Sequence, residues 1–114
     1  MKKIFILLLL CVTSSYAQSE RQTPKQQFES DLENNTIQLY FIGGIASRAT
    51  DKDAEFVSKY QATYHDFGCT PPPFLTEYSD YNILVLNYLT EKFGKDWEKD
   101  IRKDILGWNK WKSK

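Results

Sequence analysis

The fold is decided by residues 37–67, which begin with the run IQLYFI (37–42) and close with ATYHDF (62–67). The first run is β-branched and aromatic and nearly continuous in hydrophobicity, as in strands that are buried on both faces. Between the runs, Thr50 can cap a helix, and the aspartates that follow it suit the first helical turn. Strand, helix and strand within about 30 residues predict a right-handed βαβ unit.

The chain beyond this unit is expected to be helical. The segment TPPP (70–73) predicts an extended connector, because proline fixes φ and has no N–H group. Ser79 or Asp80 then caps a helix that runs to residue 93 and ends at Gly94. Its apolar residues recur at helical spacing, which predicts one buried stripe. The members of that stripe are Tyr81, Leu84, Val85, Tyr88 and Leu89.

A final helix is predicted from Asp96 to about residue 106, with Trp97, Ile101 and Ile105 at every fourth position and Gly107 at its end. The predicted fold is therefore a small two-layer α/β domain, in which a β-α-β unit is followed by two C-terminal helices. Because two strands alone make a poor sheet, either helices cover it closely or a third strand comes from residues 74–78. Leu84 is expected at the core's centre, so Leu84→Ala should cost about 2–4 kcal/mol.

The N-terminal residues 1–17 have the order of a secretory signal peptide. Two lysines precede an apolar run that is too short to span a bilayer, and Ser15 and Ala17 are small residues at the positions a signal peptidase recognises. We expect cleavage near Ala17 and a secreted or periplasmic protein. The alternative is a lipoprotein anchored at Cys11, although leucines rather than small residues precede that cysteine.

The expected mature chain has 97 of the 114 residues, enough for one domain with a modest core. Residues 18–35 are predicted to be a flexible lead with a short helix from 28 to 35, and 36–114 a single compact domain. The mature chain has 13 basic and 15 acidic residues, a net charge of −2, so nucleic acid is not an expected partner. Cys69 is then the only cysteine, which excludes an internal disulfide.

The candidate functional residues lie where the two predicted strands end. Ligands of open α/β sheets bind beyond the carboxyl ends of parallel strands. Gly43, Gly44, Ser47 and Arg48 would offer N–H groups, a hydroxyl and a guanidinium to a small anion, and Asp66 and Cys69 would add a carboxylate and a thiol. The alternative is structural: the glycines allow a tight turn and Cys69 is a small buried residue.

Thiol and metal chemistry have weaker support. A nucleophilic cysteine needs a nearby base, and His65 is the only histidine. Strand alternation places Tyr64 and Asp66 on one face and His65 and Phe67 on the other, so His65 would lie beside the sheet rather than at its end. The spacing of these residues matches no closed zinc site, and neither a metal nor a cofactor is predicted.

The C-terminal tail alternates tryptophan with lysine, a pattern that can stack nucleic-acid bases or sugars. For a net-acidic chain we expect instead that Trp108 and Trp111 cover the edge of the domain while the lysines remain solvated.

Several phrases of the sequence resemble one family. These are LYFIGGI (39–45), FVSKY (56–60), YHDFGC (64–69), YNILVLNYL (81–89) and GWNKWK (107–112). Together they resemble small secreted bacterial proteins of the F-E-K-K-Y-signature domain family, although Val57 and Ser58 replace the signature's Glu-Lys. The resemblance implies a compact secreted domain and no particular activity.

The sequence is thus interpreted as that of a non-catalytic module that binds a protein partner or a small ligand. The alternative is a small enzyme or thiol-active protein at the strand-end edge, with Asp66 as acid or base or Cys69 as nucleophile.

Overall fold

A computed structural model describes residues 21–44 and 49–113 of the chain. It has a small α/β fold with a two-stranded parallel sheet. In chain order the elements are α1 (Pro24–Asn34), β1 (Gln38–Phe41), α2 (Asp51–Tyr60), β2 (Thr63–Asp66), α3 (Leu75–Phe93), a 3-10 turn (Asp96–Lys99) and α4 (Trp108–Lys112).

The predicted β-α-β unit is confirmed. β1 and β2 are parallel and in register, with Leu39 opposite Tyr64 and Phe41 opposite Asp66. The crossover helix α2 begins with a capping box, in which the Thr50 side chain accepts the Asp53 N–H and the Asp53 carboxylate accepts the Thr50 N–H. This reciprocal pair satisfies two N–H groups that would otherwise lack partners at the helix start.

Helix α3 begins at Leu75, so the predicted cap at Ser79 or Asp80 and the suggested third strand at 74–78 are both wrong. The connector before it contains no helix or strand through Pro73, as expected. The buried stripe is also shifted from the prediction. Leu84 is only half-buried, whereas Leu86 is fully buried, so Leu86 rather than Leu84 fills the core.

The C-terminal segment differs most from the prediction. A single turn of 3-10 helix replaces the expected helix over 96–106, and the chain then extends toward β1. Ile105 forms an antiparallel bridge with Phe41, and the Leu106 N–H donates to the Tyr40 carbonyl at 3.0 Å. The apolar residues expected on the helix, Trp97, Ile101 and Ile105, are nevertheless buried. The open edge of β1 needs hydrogen-bond partners, and that requirement overrides the weak local helical pattern.

Helix α3 supplies the other partners of this edge of β1. The fully buried Asn82 accepts the Tyr40 N–H at 3.0 Å and donates to the carbonyls of Tyr40 and Leu106, both at 2.8 Å. One residue earlier, the Tyr81 hydroxyl accepts the Gln38 N–H at 3.2 Å. Two polar side chains of a largely apolar helix therefore complete the sheet.

Helix α1 begins at Pro24, four residues before the predicted start at 28, because Thr23 and Gln26 form a capping box. Its Phe28 packs edge-on against Tyr81 and Tyr88 of α3. Its buried Asp31 accepts a 2.6 Å hydrogen bond from the Tyr81 hydroxyl. Residues expected to be a flexible lead thus contribute the first turn of a packed helix.

The tail packs as predicted. Trp108 is buried and lies edge-on to Trp97, and Trp111 packs against both rings. The Trp111 indole N–H donates to the Asn87 side chain at 2.9 Å. Trp97 and Trp108 therefore lie in the core of the domain, and the partly buried Trp111 lies at its margin.

Candidate functional site

The carboxyl ends of the two strands meet through Asp66. Its Oδ1 atom accepts the N–H of Gly43 at 2.9 Å and the N–H of Gly68 at 2.7 Å. Directly beside it, the Gly44 N–H donates to the Gly68 carbonyl at 2.9 Å. The structure therefore brings Gly43, Gly44 and Asp66 together, as the parallel-strand rule predicts.

The N–H groups of Gly43 and Gly44, which were candidates for holding an anion, are hydrogen-bonded within the chain. The Gly43 N–H donates to the Asp66 carboxylate and the Gly44 N–H to the Gly68 carbonyl. Gly44 has φ of +71°, so the tight turn of the structural interpretation is present. Ser47 and Arg48 lie outside the described residues. Ligand binding at this edge stays a prediction.

The two residues of the suggested thiol dyad have different surroundings. Cys69 is exposed, so the expectation that it is a small buried residue is wrong. His65 packs its ring against Tyr40 and Phe67, at centroid distances of 5.4 and 4.8 Å. Tyr64 instead stacks on Phe56 of α2, which confirms the predicted alternation of faces.

An open groove of about 570 Å³ lies between α2 and β2, on the side of the sheet that faces α2. Phe41 and Tyr64 lie at its floor, and Ala54 and Val57 of α2 form one wall. Asp66 lies at the groove, so the groove adjoins the strand-end edge. A volume of this size and an apolar lining are typical of small-molecule sites.

One end of the groove is charged. The Arg102 guanidinium donates to Asp53 at 2.8 Å and to both carboxylate oxygens of Asp104, at 3.0 and 2.7 Å. The guanidinium carbon also lies 4.0 Å from the centre of the Phe41 ring. Because Arg102 and Asp53 are largely buried, with side chains 17% and 11% exposed, their pair is better shielded from water than a surface salt bridge.

Tyr64 joins this charged end to the groove floor. Its hydroxyl oxygen accepts the backbone N–H of Arg102 at 3.1 Å. Burial raises the pKa of Tyr64 well above its usual range, so the phenol is a neutral hydrogen-bonding group at physiological pH. The groove thus has an aromatic floor, an aliphatic wall and a polar end whose charges are paired.

Sequence reasoning missed the groove and the role of Arg102. Arg102 is 49 residues from Asp53, and nothing in the local pattern pairs them. The available signal was the acidic first turn of α2, since a buried carboxylate requires a partner.

The described ranges, 21–44 and 49–113, contain neither a candidate metal centre nor a membrane-spanning helix. No group of three histidine, cysteine or carboxylate side chains there comes close enough to hold a metal ion. Within the same ranges, every helix is too short or too polar to cross a membrane.

Comparison with known proteins gives no relative. A scan against protein-family models, a search of curated proteins and a search of solved structures each found no match for this chain. Its function is therefore inferred from the geometry of its own residues.

Proposed function

We propose that this protein is a small secreted or periplasmic binding module, without catalytic activity, that takes a largely apolar ligand in the groove between α2 and β2. The observation that supports this most is the groove itself, about 570 Å³ in volume, with Phe41 and Tyr64 at its floor. Burying apolar ligand surface there supplies affinity, and the polar groups at its ends supply orientation. Its resemblance to the F-E-K-K-Y-signature family remains part of this proposal.

The enzyme alternative has less support at the same edge. A general acid or base must reach its substrate, but Oδ1 of Asp66 already accepts two backbone N–H groups. Cys69 is exposed and is not among the residues that line the groove. A nucleophilic thiol also needs an activating base, and the ring of His65, the only histidine of the sequence, packs against the rings of Tyr40 and Phe67.

The binding proposal is tested by filling the groove. Ala54 lies on its wall, and Glu55 is an exposed neighbour on the same helix outside it. We expect the dye 1-anilinonaphthalene-8-sulfonate to bind the native protein saturably. Ala54→Leu should weaken it by at least about tenfold because the added side chain occupies the groove, whereas Glu55→Leu should leave affinity within about twofold.

Equal affinity in the two variants would contradict the proposal, as would dye-induced amide shifts in NMR spectra that lie away from α2 and β2.

The thiol alternative has a separate test. Iodoacetamide should alkylate the exposed Cys69 no faster than it alkylates glutathione, because a binding module does not require a base that activates the thiol. Alkylation that is faster by about a hundredfold would instead support a reactive nucleophile.

Export is tested by the intact mass of the mature protein recovered from the envelope. A mass that matches a chain beginning at Gln18 supports cleavage near Ala17 and release from the membrane. A mass that matches a chain beginning at Cys11 with a diacylglyceryl group added would show a lipoprotein instead and contradict this part of the proposal.

A further inference from the structure

A second cavity, of about 320 Å³, lies between the start of α1 and the start of α3. Tyr40 of β1 and Tyr78 and Tyr81 of α3 form its wall, and the Tyr40 and Tyr78 rings lie 4.7 Å apart. Phe74, which is 58% exposed, forms its rim. We call this cavity, with its four rings, the aromatic cage. It shares no lining residue with the groove between α2 and β2.

The rim of the aromatic cage already holds a cation from this chain. The Arg21 guanidinium carbon lies 3.5 Å above the centre of the Phe74 ring. One of its nitrogens lies 2.7 Å from a carboxylate oxygen of Glu77. An aromatic face attracts a cation through its quadrupole, and a carboxylate binds a guanidinium through charge-assisted hydrogen bonds. Arg21 therefore shows which chemical group these side chains accept.

The surroundings of the aromatic cage favour positive charge. Glu77 lies at the rim, and Asp31 lies behind the wall, where it accepts a hydrogen bond from Tyr81. Burial is the main cause that raises the pKa of Tyr40, and the negative charge of Asp31 raises it further. The Asp31 charge therefore acts on the cavity wall. In the described part of the chain, Arg21 is the single cationic residue that lines the cavity. Without Arg21, Glu77 is the one charged residue of the described lining, and the remaining residues are aromatic or neutral.

The rim residue Phe74 has a strained backbone. Its φ of +62° and ψ of +40° place a bulky residue in the left-handed region, which is sterically disfavoured for a residue with a Cβ. Such strained positions cluster at ligand sites, where the conformation presents a side chain. Here the conformation ends the proline connector and places the Phe74 ring beneath the Arg21 guanidinium.

We propose that the aromatic cage binds an organic guanidinium and that Arg21 occupies its rim in the free protein as an internal competitor. This site is independent of the groove and goes beyond its proposed ligand. Arg21 is easily displaced because its side chain and that of Glu77 are 53% and 40% exposed. Exposed ion pairs and exposed cation–π contacts each contribute little, so an added guanidinium can replace them.

The test is an NMR titration in which methylguanidinium is added to the isotope-labelled mature protein. We expect amide shifts at Tyr78 and Glu77. Arg21→Ala should bind the probe about tenfold more tightly than the native protein, because it removes the competitor. Glu77→Gln should weaken binding severalfold. Lys25→Ala, a matched loss of an exposed cation outside the cavity, should leave the affinity unchanged.

Methylurea, a neutral planar analogue, serves as the ligand control and should not bind. Equal binding of methylurea, or an Arg21→Ala variant that binds methylguanidinium no more tightly than the native protein, would overturn the proposal. All three variants change exposed or half-buried side chains, and their folding is checked by the dispersion of the same spectra. N-acetylarginine methylamide, which has the backbone groups of an arginine residue, then distinguishes two sources of the guanidinium group. Tighter binding than that of methylguanidinium assigns the site to an arginine of a polypeptide, and weaker binding assigns it to a free guanidinium compound.

Discussion

The two edges of strand β1 are completed in different ways. On one edge, β1 pairs with β2 through backbone hydrogen bonds in a regular parallel register. On the other edge, its partners are the side chains of Tyr81 and Asn82 and the backbone of Leu106. The first edge is built from residues about 25 positions apart, and the second joins segments separated by 42 residues or more.

The difference shows where this fold is vulnerable. Backbone pairing with β2 depends little on which side chains the strand has, because the hydrogen bonds come from the main chain. Besides the Leu106 backbone, the other edge depends on the Asn82 amide and the Tyr81 hydroxyl. If either is lost, a buried main-chain group of β1 has no partner, and that penalty is larger than the net gain of forming a hydrogen bond.

The largest effect is expected from Asn82→Leu, which keeps the side chain's approximate size. It removes three hydrogen bonds and leaves the Tyr40 N–H and the Leu106 carbonyl without this partner. We expect the free energy of unfolding to decrease by about 3–5 kcal/mol, measured by urea denaturation. Asn87→Leu, at an exposed position of the same helix, removes only the exposed hydrogen bond from Trp111 and should cost less than about 1 kcal/mol. Similar costs at the two positions would contradict the special role of this edge.

The same contrast explains which parts of the fold could be predicted. The β-α-β unit was predictable because its signals are local: Thr50 caps α2, and apolar runs form both strands. The convergence of Gly43, Gly44 and Asp66 followed from parallel topology alone. The start of α3 was missed because no side chain caps it and Phe74 has a left-handed backbone.

The C-terminal segment could not be predicted from its local pattern. Trp97, Ile101 and Ile105 recur every fourth residue and are buried, yet they do not form one helix. Tertiary pairing of Ile105 and Leu106 with β1 outweighs the helical spacing. Arg102 was missed for a related reason, since its partner Asp53 is distant in sequence.

The next largest effect is expected at Gly107, which directly follows the Leu106 pairing. Its φ is +84°, and an added Cβ would lie 2.7 Å from the Ser79 hydroxyl and 3.0 Å from the Ser79 carbonyl. Gly107→Ala should therefore cost about 2–4 kcal/mol, from backbone strain plus a steric clash with α3. The loss in the free energy of unfolding is measured by urea denaturation.

A rescue variant sharpens the test at Gly107. Ser79→Ala removes the hydroxyl that would be closest to the new Cβ. The double variant Gly107→Ala/Ser79→Ala should recover part of the loss, giving a coupling energy of about 0.5 kcal/mol or more. Strictly additive losses would show that the clash with Ser79 does not contribute.

A smaller effect is expected from Tyr81→Phe, which leaves the Gln38 N–H without its hydroxyl acceptor. Asp31 keeps hydrogen bonds from Gln27 and Thr36, so the expected cost at pH 7 is about 1–2 kcal/mol. Burial, and then the hydrogen bond to Asp31, raise the pKa of Tyr81 above its usual range. The unfolded chain therefore loses this proton first as pH rises, and native stability decreases above about pH 10.

This alkaline loss should be shallower in Tyr81→Phe, because one raised pKa is removed while the raised pKa values of Tyr40, Tyr60 and Tyr64 remain. Urea denaturation at pH 8 and about pH 10.5 measures both slopes. Identical slopes in the native protein and the variant would mean that Tyr81 ionises alike in the folded and unfolded states. That result would contradict its buried hydrogen bond to Asp31.

The smallest effect is expected on the β2 side. Thr63 is exposed and lies opposite Gln38 in the register, so Thr63→Ala removes a β-branched side chain but no hydrogen bond of the sheet. Its cost should be below about 1 kcal/mol. Because the two edges use separate partners, the double variant Thr63→Ala/Asn82→Leu should lose the sum of the single losses within about 0.5 kcal/mol. A cost at Thr63 equal to that at Asn82, or strong coupling between them, would mean that β1 is stabilised as one unit and that its two edges are not independent.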